Sequence, residues 1–241
     1  MRDELFKQTD MKTFCFDERV SAVFDDMAER SIPYYHTTLE LISEFSLGFL
    51  SKTQGRCYDL GSSTGNMLIE IALKTQNQHY EELQLIGIDN SIAMIERAKL
   101  KSAAIGVHVE FILSDIVDAE FLEADLFLCH YTLQFINPSK RLILLQRIFD
   151  HLKTGGALIM SEKIYSNHSF LNQKMIQQYY RFKESQGYSL GEIAKKREAL
   201  ENVLIPNTHE QNIELLKIAG FQHIENLFLW LNFETLIAIK L

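Results

Sequence analysis

Residues 58–66, YDLGSSTGN, decide the fold because they read as a buried strand that turns sharply into a helix. Gly61 and Gly65 allow a tight turn whose backbone can approach a ligand closely. The turn departs from the dinucleotide pattern GxGxxG, and the acid Asp59 stands two positions before its first glycine. A carboxylate is a poor neighbour for a pyrophosphate and a good one for an ammonium group. We therefore expect a ligand with an amino acid end and a nucleoside end.

Short apolar runs alternate with helical patterns from this turn onward. We predict strands at 57–60, 85–89, 107–113, 126–130 and 157–161, and helices that begin after Gly65, Asn90 and Pro138. This alternation is typical of βαβ units and a parallel sheet. Ser139 is expected to cap the start of the third helix, with Gly155 and Gly156 after its end. Ser189 with Glu192 and Thr208 with Gln211 are expected to form capping boxes at the starts of two later helices.

Helices and a hairpin flank this core. We interpret residues 1–52 as an N-terminal helical cap interrupted at Pro33, 53–161 as a nucleotide-binding core, and 162–206 as a helical insertion. Residues 207–241 read as a closing helix and a β-hairpin, because only NFE separates two apolar runs. The prediction is a single α/β domain, 1–241, with a doubly wound, Rossmann-like, mostly parallel seven-stranded sheet and an antiparallel last strand.

The composition limits the possible functions. A chain of 241 residues with 46% hydrophobic residues can bury a large core, and no apolar run approaches the roughly 20 residues that span a bilayer. The net charge of −8 disfavours non-specific binding to nucleic acid. Cys15, Cys57 and Cys129 are far apart and odd in number, so neither a disulfide framework nor a metal site is expected. The N-terminal residues lack the apolar centre of a secretory signal, which favours a cytoplasmic protein.

The stretch 189–204, SLGEIAKKREALENVL, places a cation where an apolar face is expected. Read as a helix, it puts Arg197 on the same face as Ile193 and Leu200, while Lys195 and Lys196 point to solvent. Taking an unpaired cation out of water costs several kcal/mol, so an inward arginine needs an anion. Either a carboxylate of the chain or a ligand supplies it.

Polar residues follow the next strands at the edge where the glycine turn lies. Asp89 ends the second strand and is placed to accept both hydroxyls of a ribose. Asp115 follows the third strand and could take the exocyclic amine of an adenine, while the backbone N–H of Ile116 meets a ring nitrogen. His130 ends the fourth strand and faces the same crevice.

Residues 56–156 resemble the S-adenosylmethionine-dependent methyltransferase fold. The resemblance rests on DLGSSTG, GIDNS, LSDI and LKTGGALIMSE, which occur in that order at strand ends. A Rossmann-like domain for another nucleotide is the alternative interpretation. The fold does not itself require methyl transfer. Methyltransferases that act on an amino nitrogen carry a proline-rich turn such as PPY after the fourth strand, whereas this chain reads HYTLQF there. The chain also has no cysteine pair suited to cytosine methylation.

Nearly the whole chain resembles one family, the carboxy-S-adenosyl-L-methionine synthases. The stretches that resemble that family are FDERVSAVFDDMAERSIPYY, DNSIAMIERA, TLQFINPSKR, GGALIMSEK and KKREALENVL. The resemblance implies that S-adenosylmethionine loses a methyl proton and that the carbanion captures carbon dioxide released from prephenate, leaving phenylpyruvate and water. The product is the carboxymethyl donor for wobble uridine modification in bacterial tRNA. The resemblance also implies a homodimer.

The resemblance further implies a set of ligand contacts. They are Tyr35, Gly61, Ser62, Ser63, Asp89, Asn90, Asp115, Ile116, His130 and Arg197. Arg197 would hold the new carboxylate, which suits a planar guanidinium. His130 departs from the asparagine that the family resemblance implies there, and its protonation state decides what it can donate. No general base for the methyl proton can be named.

Simpler interpretations remain beside these. Arg197 could pair with an internal carboxylate, Tyr35 could pack as an aromatic, and Lys163, just after the fifth strand, could be a surface lysine rather than a contact for an anionic substrate. Two other functions use the same nucleotide motifs. They are a methyltransferase that acts on a small molecule or tRNA, and a non-catalytic module that binds S-adenosylmethionine.

Overall fold

The computed structural model describes residues 2–8 and 14–241, which form one seven-stranded sheet with helices on both faces. The strands are β1 Arg56–Leu60, β2 Gln84–Asp89, β3 Glu110–Leu113, β4 Ala124–His130, β5 Leu152–Lys163, β6 His223–Trp230 and β7 Phe233–Ile239. Their order is β3-β2-β1-β4-β5-β7-β6. The first five strands run parallel, and β7 pairs antiparallel with both β5 and β6. The predicted fold class is confirmed.

The helices lie before, between and after these strands. They are α1 Leu5–Gln8, α2 Glu18–Ser31, α3 Tyr35–Phe49, α4 Asn66–Thr75, α5 Ile92–Ile105, α6 Pro138–His151, α7 Ser169–Ser185, α8 Leu190–Ala199 and α9 His209–Ala219. Two of the N-cap predictions are confirmed, since Ser189 with Glu192 and Thr208 with Gln211 form capping boxes. Within the described ranges, no helix is long and apolar enough to cross a membrane.

Alternate residues of the central strands pack into two separate hydrophobic cores, one on each face of the sheet. In β4, Phe127 and Cys129 pack against α6 and α9, whereas Leu126 and Leu128 pack against α3 and α4. This is the period of two that a strand imposes on a sheet covered on both faces. Each such side chain contributes about 2 kcal/mol as an upper estimate. The strands are therefore held firmly beneath the edge where the polar residues lie.

The strand order reverses between β1 and β4. From β1 the chain moves outward through β2 and β3, and it then returns to the other side of β1 for β4 and β5. In open α/β sheets, ligands bind outside the carboxyl ends of the strands at such a switch point. The turn after β1 lies at this position.

Two local predictions around α6 are wrong. Asn137 is the N-cap, since its side chain accepts from the backbone N–H of Ser139 at 3.1 Å, and Pro138 takes the first helical position. The two glycines, Gly155 and Gly156, do not cap the end of α6, where Leu152 is the C-cap; they lie inside β5, where they exchange backbone hydrogen bonds with Lys240 at 2.7 and 2.9 Å. The glycine pair serves strand pairing, not helix termination.

The third strand is also shorter than predicted. It covers Glu110–Leu113, because the chain just before it still completes the end of α5. Gly106 adopts the left-handed conformation, and the N–H of Val107 donates to the carbonyl of Ser102 at 3.0 Å. The apolar residue Val107 therefore belongs to a helix C-cap rather than to β3.

Candidate functional site

A cavity of about 740 Å³ lies over the carboxyl ends of β1, β2 and β4, beneath α2, α3, α7 and α8. All ten residues predicted to contact the ligand line it. They are Tyr35, Gly61, Ser62, Ser63, Asp89, Asn90, Asp115, Ile116, His130 and Arg197. The structure thus brings together residues from six segments of the chain, while their contact with a ligand stays a prediction.

The glycine turn after β1 has the backbone conformation that its sequence predicts. Gly61 has a φ of +74°, and a Cβ built there would lie 2.4 Å from Cγ2 of Thr132. The N–H groups of Gly61 and Ser62 donate to the carbonyl of Ile88 at 2.8 and 3.1 Å. Glycine is needed here both for the left-handed conformation and for the close approach of Thr132.

Asp89 is held in place by the turn that it faces. One carboxylate oxygen accepts the backbone N–H of Ser63 and the other accepts that of Ser91, each at 2.9 Å. Burial nevertheless raises the pKa of Asp89. Each oxygen keeps a second lone pair, so the carboxylate can still accept the two hydroxyls of a ribose.

Several buried polar atoms at the cavity have no hydrogen-bond partner within the described residues. They are Asp59 Oδ1, Ser62 Oγ, His130 Nε2 and the hydroxyl of Tyr131. Asp59 is only 2% exposed, and burial, assisted by the charge of Asp89, raises its pKa to about 7. Buried polar groups of native proteins are normally paired, so these four indicate a polar ligand. An ammonium group beside Asp59 would fit the amino acid end of S-adenosylmethionine.

His130 is fixed by a short chain of hydrogen bonds. Its Nδ1 lies 2.9 Å from Ser161 Oγ, which lies 2.9 Å from Thr235 Oγ1. Burial lowers the pKa of His130 to about 3, so the imidazole is neutral at pH 7. The ring can therefore form one hydrogen bond to a ligand through Nε2 without adding charge. The asparagine that the family resemblance implies at this position could do the same.

Tyr35 is oriented by residues that the sequence analysis missed. Its hydroxyl accepts from Asn66 Nδ2 at 3.1 Å, and the same amide donates to Asp25 Oδ1 at 3.1 Å. Asp25 also accepts from Lys101 Nζ at 2.8 Å and from Thr64 Oγ1. These residues come from α2, α4, α5 and the glycine turn, so no spacing in the sequence could have grouped them.

The prediction that Arg197 points inward is wrong. The buried residues of α8 are Glu192, Ile193, Lys196 and Ala199, and Arg197 is exposed. The helical phase was misjudged because Leu190 is 63% exposed and because α8 ends before Leu204. Lys196, predicted to point to solvent, is instead 5% exposed, and its Nζ donates to Ser31 Oγ at 2.8 Å.

Arg197 nevertheless lines the cavity, at its mouth. Its Nη1 lies 3.4 Å from the hydroxyl of Tyr180, and no described carboxylate forms an ion pair with it. The alternative of an internal carboxylate partner is thus absent from the described part of the chain. Lys163, Lys183 and Lys196 line the cavity with Arg197 on the side of β5, α7 and α8, which we call its cationic end. Glu198 and Glu201 also line that end, while the carboxyl groups of Asp59, Asp89 and Asp115 lie at the ends of β1, β2 and β3.

Comparisons with known proteins identify the fold. A methyltransferase domain model matches residues 58–156. A solved structure of a putative O-methyltransferase from Nostoc punctiforme superposes with a TM-score of 0.64 at 18% identity, covering 92% of this chain and 59% of that one. Magnesium protoporphyrin IX methyltransferase from Synechocystis gives 0.62 at 12% identity, covering 89% and 87%. The fold is that of the S-adenosylmethionine-dependent methyltransferases.

Similarity over the full chain narrows the class to one family. The carboxy-S-adenosyl-L-methionine synthase of Wolinella succinogenes is 52% identical over 240 residues, covering 100% of this chain and 99% of that protein. The proteins of the same name from Nautilia profundicola and Helicobacter hepaticus are 51% and 49% identical, with full coverage of both chains. The chain belongs to the carboxy-S-adenosyl-L-methionine synthase family.

Proposed function

We propose that this protein converts S-adenosylmethionine and prephenate to carboxy-S-adenosylmethionine, phenylpyruvate and water. The observation that carries the proposal is the cationic end of the cavity, where Arg197 faces the space without a described carboxylate partner. S-adenosylmethionine itself would bring only its sulfonium methyl group near that end, and a methyl group does not need a guanidinium. A donor with a carboxylate on the former methyl group does.

The atoms of the proposed reaction balance. The sulfonium makes the methyl C–H acidic, and the carbon that loses its proton forms a new bond to carbon dioxide. Prephenate loses its ring carboxylate as that carbon dioxide and also loses its ring hydroxyl, which leaves an aromatic ring. The hydroxyl group and the methyl proton leave together as water.

The residues at the sheet end would bind the parts of S-adenosylmethionine that do not react. Asp59 with Ser62 would take the ammonium group, because the Asp59 carboxylate is buried and one of its oxygens has no described partner. Asp89 would take the ribose hydroxyls, because two backbone N–H groups fix its carboxylate. Asp115 and the N–H of Ile116 would read the adenine. The rest of the wall around S-adenosylmethionine would be formed by Tyr35, Ser63, Asn90 and His130.

Arg197 would bind the carboxylate that distinguishes the product from its precursor. Paired N–H groups of a guanidinium match the two oxygens of a carboxylate, which a lysine cannot reproduce. Tyr180 would orient the guanidinium through its hydroxyl. We further propose that the product serves wobble uridine modification of tRNA in the cytoplasm, and that the protein acts as a homodimer.

Incubation of the purified protein with both substrates tests this function. We expect a sulfonium product heavier than S-adenosylmethionine by the mass of one carbon dioxide, with equimolar phenylpyruvate. Omission of prephenate is the control and should give neither. Transfer of labelled methyl to an acceptor with accumulation of S-adenosylhomocysteine would instead indicate a methyltransferase, and binding without turnover a non-catalytic module.

A further inference from the structure

Two lysines lie on one aromatic ring in the wall of the cavity. Lys163 ends β5 and Lys183 lies in α7, and their Nζ atoms are 5.1 and 4.7 Å from the ring centroid of Tyr179. Both lysines line the cavity, and Lys183 is only 6% exposed. Both ammonium groups thus lie against the same ring in the wall of the cavity.

The described residues around these lysines supply little negative charge. Neither Lys163 nor Lys183 forms an ion pair with a described residue. Asp3 is the carboxylate that acts on Lys183; it accepts from the hydroxyl of Tyr188 at 2.6 Å and lies 3.8 Å from Nζ of Lys196. Asp3 and Asp26 both act on Lys196, so little negative charge is left for Lys163 and Lys183.

A structural role accounts for Lys196 but not for the other two. Lys196 donates to Ser31 Oγ at 2.8 Å and lies near Asp3, so it ties α8 to α2 and to the N-terminal residues. Lys163 and Lys183 contact the Tyr179 ring, and a cation–π contact contributes about 0.5–2 kcal/mol. Burying an unpaired ammonium group costs several kcal/mol, so the ring does not offset the cost.

The pKa values of Lys163 and Lys183 reflect the same shortage of negative charge. Burial lowers the pKa of Lys163 to about 8, and burial together with the charges of Lys196 and Lys163 lowers the pKa of Lys183 well below its usual value. An anion in this part of the cavity would restore both ammonium groups. The geometry and the charge count both indicate an anionic ligand.

We propose that Lys163 and Lys183 bind the carboxylate that the carboxyl-donating substrate keeps, so that this substrate is recognised as a dianion; the inference rests on the proposed function. Strong ion pairing to the carboxylate that is lost would oppose its loss, because the charge disappears from that group as carbon dioxide forms. The retained carboxylate keeps its charge throughout. In prephenate this is the carboxylate of the pyruvyl side chain, which remains in phenylpyruvate.

Two variants and a matched control test the proposal by kinetics. Lys163→Gln and Lys183→Gln should each raise the KM for prephenate by about 10-fold or more, since each removes a buried charge partner. Their Kd for S-adenosylmethionine should stay within about 2-fold of the parent value, which also reports correct folding. Lys174→Gln, an exposed lysine of the same helix, should change neither. An unchanged KM in both folded variants would overturn the proposal.

A second measurement uses the unaltered protein and does not depend on turnover or on the folding of variants. An amine-reactive reagent should label Lys163 and Lys183 more slowly when prephenate or phenylpyruvate is bound, with labelling at Lys174 unaffected. Equal labelling with and without prephenate would contradict the inference. Protection by prephenate but not by phenylpyruvate would assign the lysines to the lost carboxylate and overturn it as well. Protection without any carboxylated product would refute the proposed reaction while leaving the anion site supported.

Discussion

Arg197 and Tyr180 meet across the mouth of the cavity, with Nη1 3.4 Å from the phenolic oxygen. The contact joins α8 to α7. A hydroxyl orients a guanidinium without neutralising its charge, so the positive group stays available to an anion in the cavity. The arrangement differs from the inward-pointing arginine that the sequence predicts, but it allows the same chemistry.

Arg197→Ala should weaken binding of carboxy-S-adenosylmethionine by about 10- to 100-fold, because it removes a charge-assisted pair with the added carboxylate. Binding of S-adenosylmethionine should change by less than about 3-fold, since that ligand lacks the carboxylate. Isothermal titration with both ligands measures the difference. Arg197→Lys is the control for charge and should restore only part of the affinity. Equal losses for both ligands would make Arg197 structural.

Asp89→Asn should weaken binding of S-adenosylmethionine by about 100-fold, because an amide NH2 would face one of the backbone N–H donors now held by the carboxylate. The turn at Ser63 or the N-cap at Ser91 then loses its acceptor. Equilibrium dialysis of the ligand checks the prediction. Asp118→Asn, at an exposed position, is the matched control. Equal affinity in both variants would remove Asp89 from the site.

Gly61→Ala should lower the free energy of unfolding by about 1–3 kcal/mol and abolish ligand binding, because it combines a positive φ with a clash. The clash is with Thr132, 2.4 Å from the added Cβ. Adding Thr132→Ala should recover part of the stability in urea denaturation, and no recovery would refute the steric cause. Gly191→Ala is the control, since its nearest neighbour lies 4.0 Å away, and it should be neutral or stabilising.

The pH dependence of kcat/KM for prephenate, at saturating S-adenosylmethionine, should show a fall above pH 8. Burial lowers the pKa of Lys163 to about 8, so raising the pH through that value removes a positive charge that an anionic substrate needs. In Lys163→Gln the remaining dependence above pH 8 should be weaker than in the parent protein. A parent profile that is flat between pH 7 and 9 would contradict the assignment.

The core of the fold could be predicted because its signals are local. Each of these elements requires particular residues at fixed spacing. They are the turn at Gly61, the strand ends at Asp89 and His130, and the capping boxes at Ser189 and Thr208. The structure confirms these elements. Gly155 was misassigned because a glycine after a helix predicts a C-cap, whereas this one lies within strand β5, paired with the chain end.

The charged part of the site was predicted less well, for a physical reason. The orientation of a short helix depends on its partners, and in α8 one residue of phase error exchanged buried Lys196 with exposed Arg197. The support of Tyr35 by Asn66 and Asp25 joins distant segments of the chain. Such contacts depend on packing, and no sequence period reveals them.

The origin of the added carbon is the most direct test of the central claim. The protein should be incubated with S-adenosylmethionine bearing a trideuterated methyl group and with prephenate labelled with ¹³C in the ring carboxylate, and the sulfonium product analysed by mass spectrometry. The account predicts a product that has lost one deuterium, keeps two, and carries the ¹³C label in a new carboxyl group. A product that keeps the intact trideuterated methyl group, or a trideuterated methyl group found on another acceptor, would contradict it.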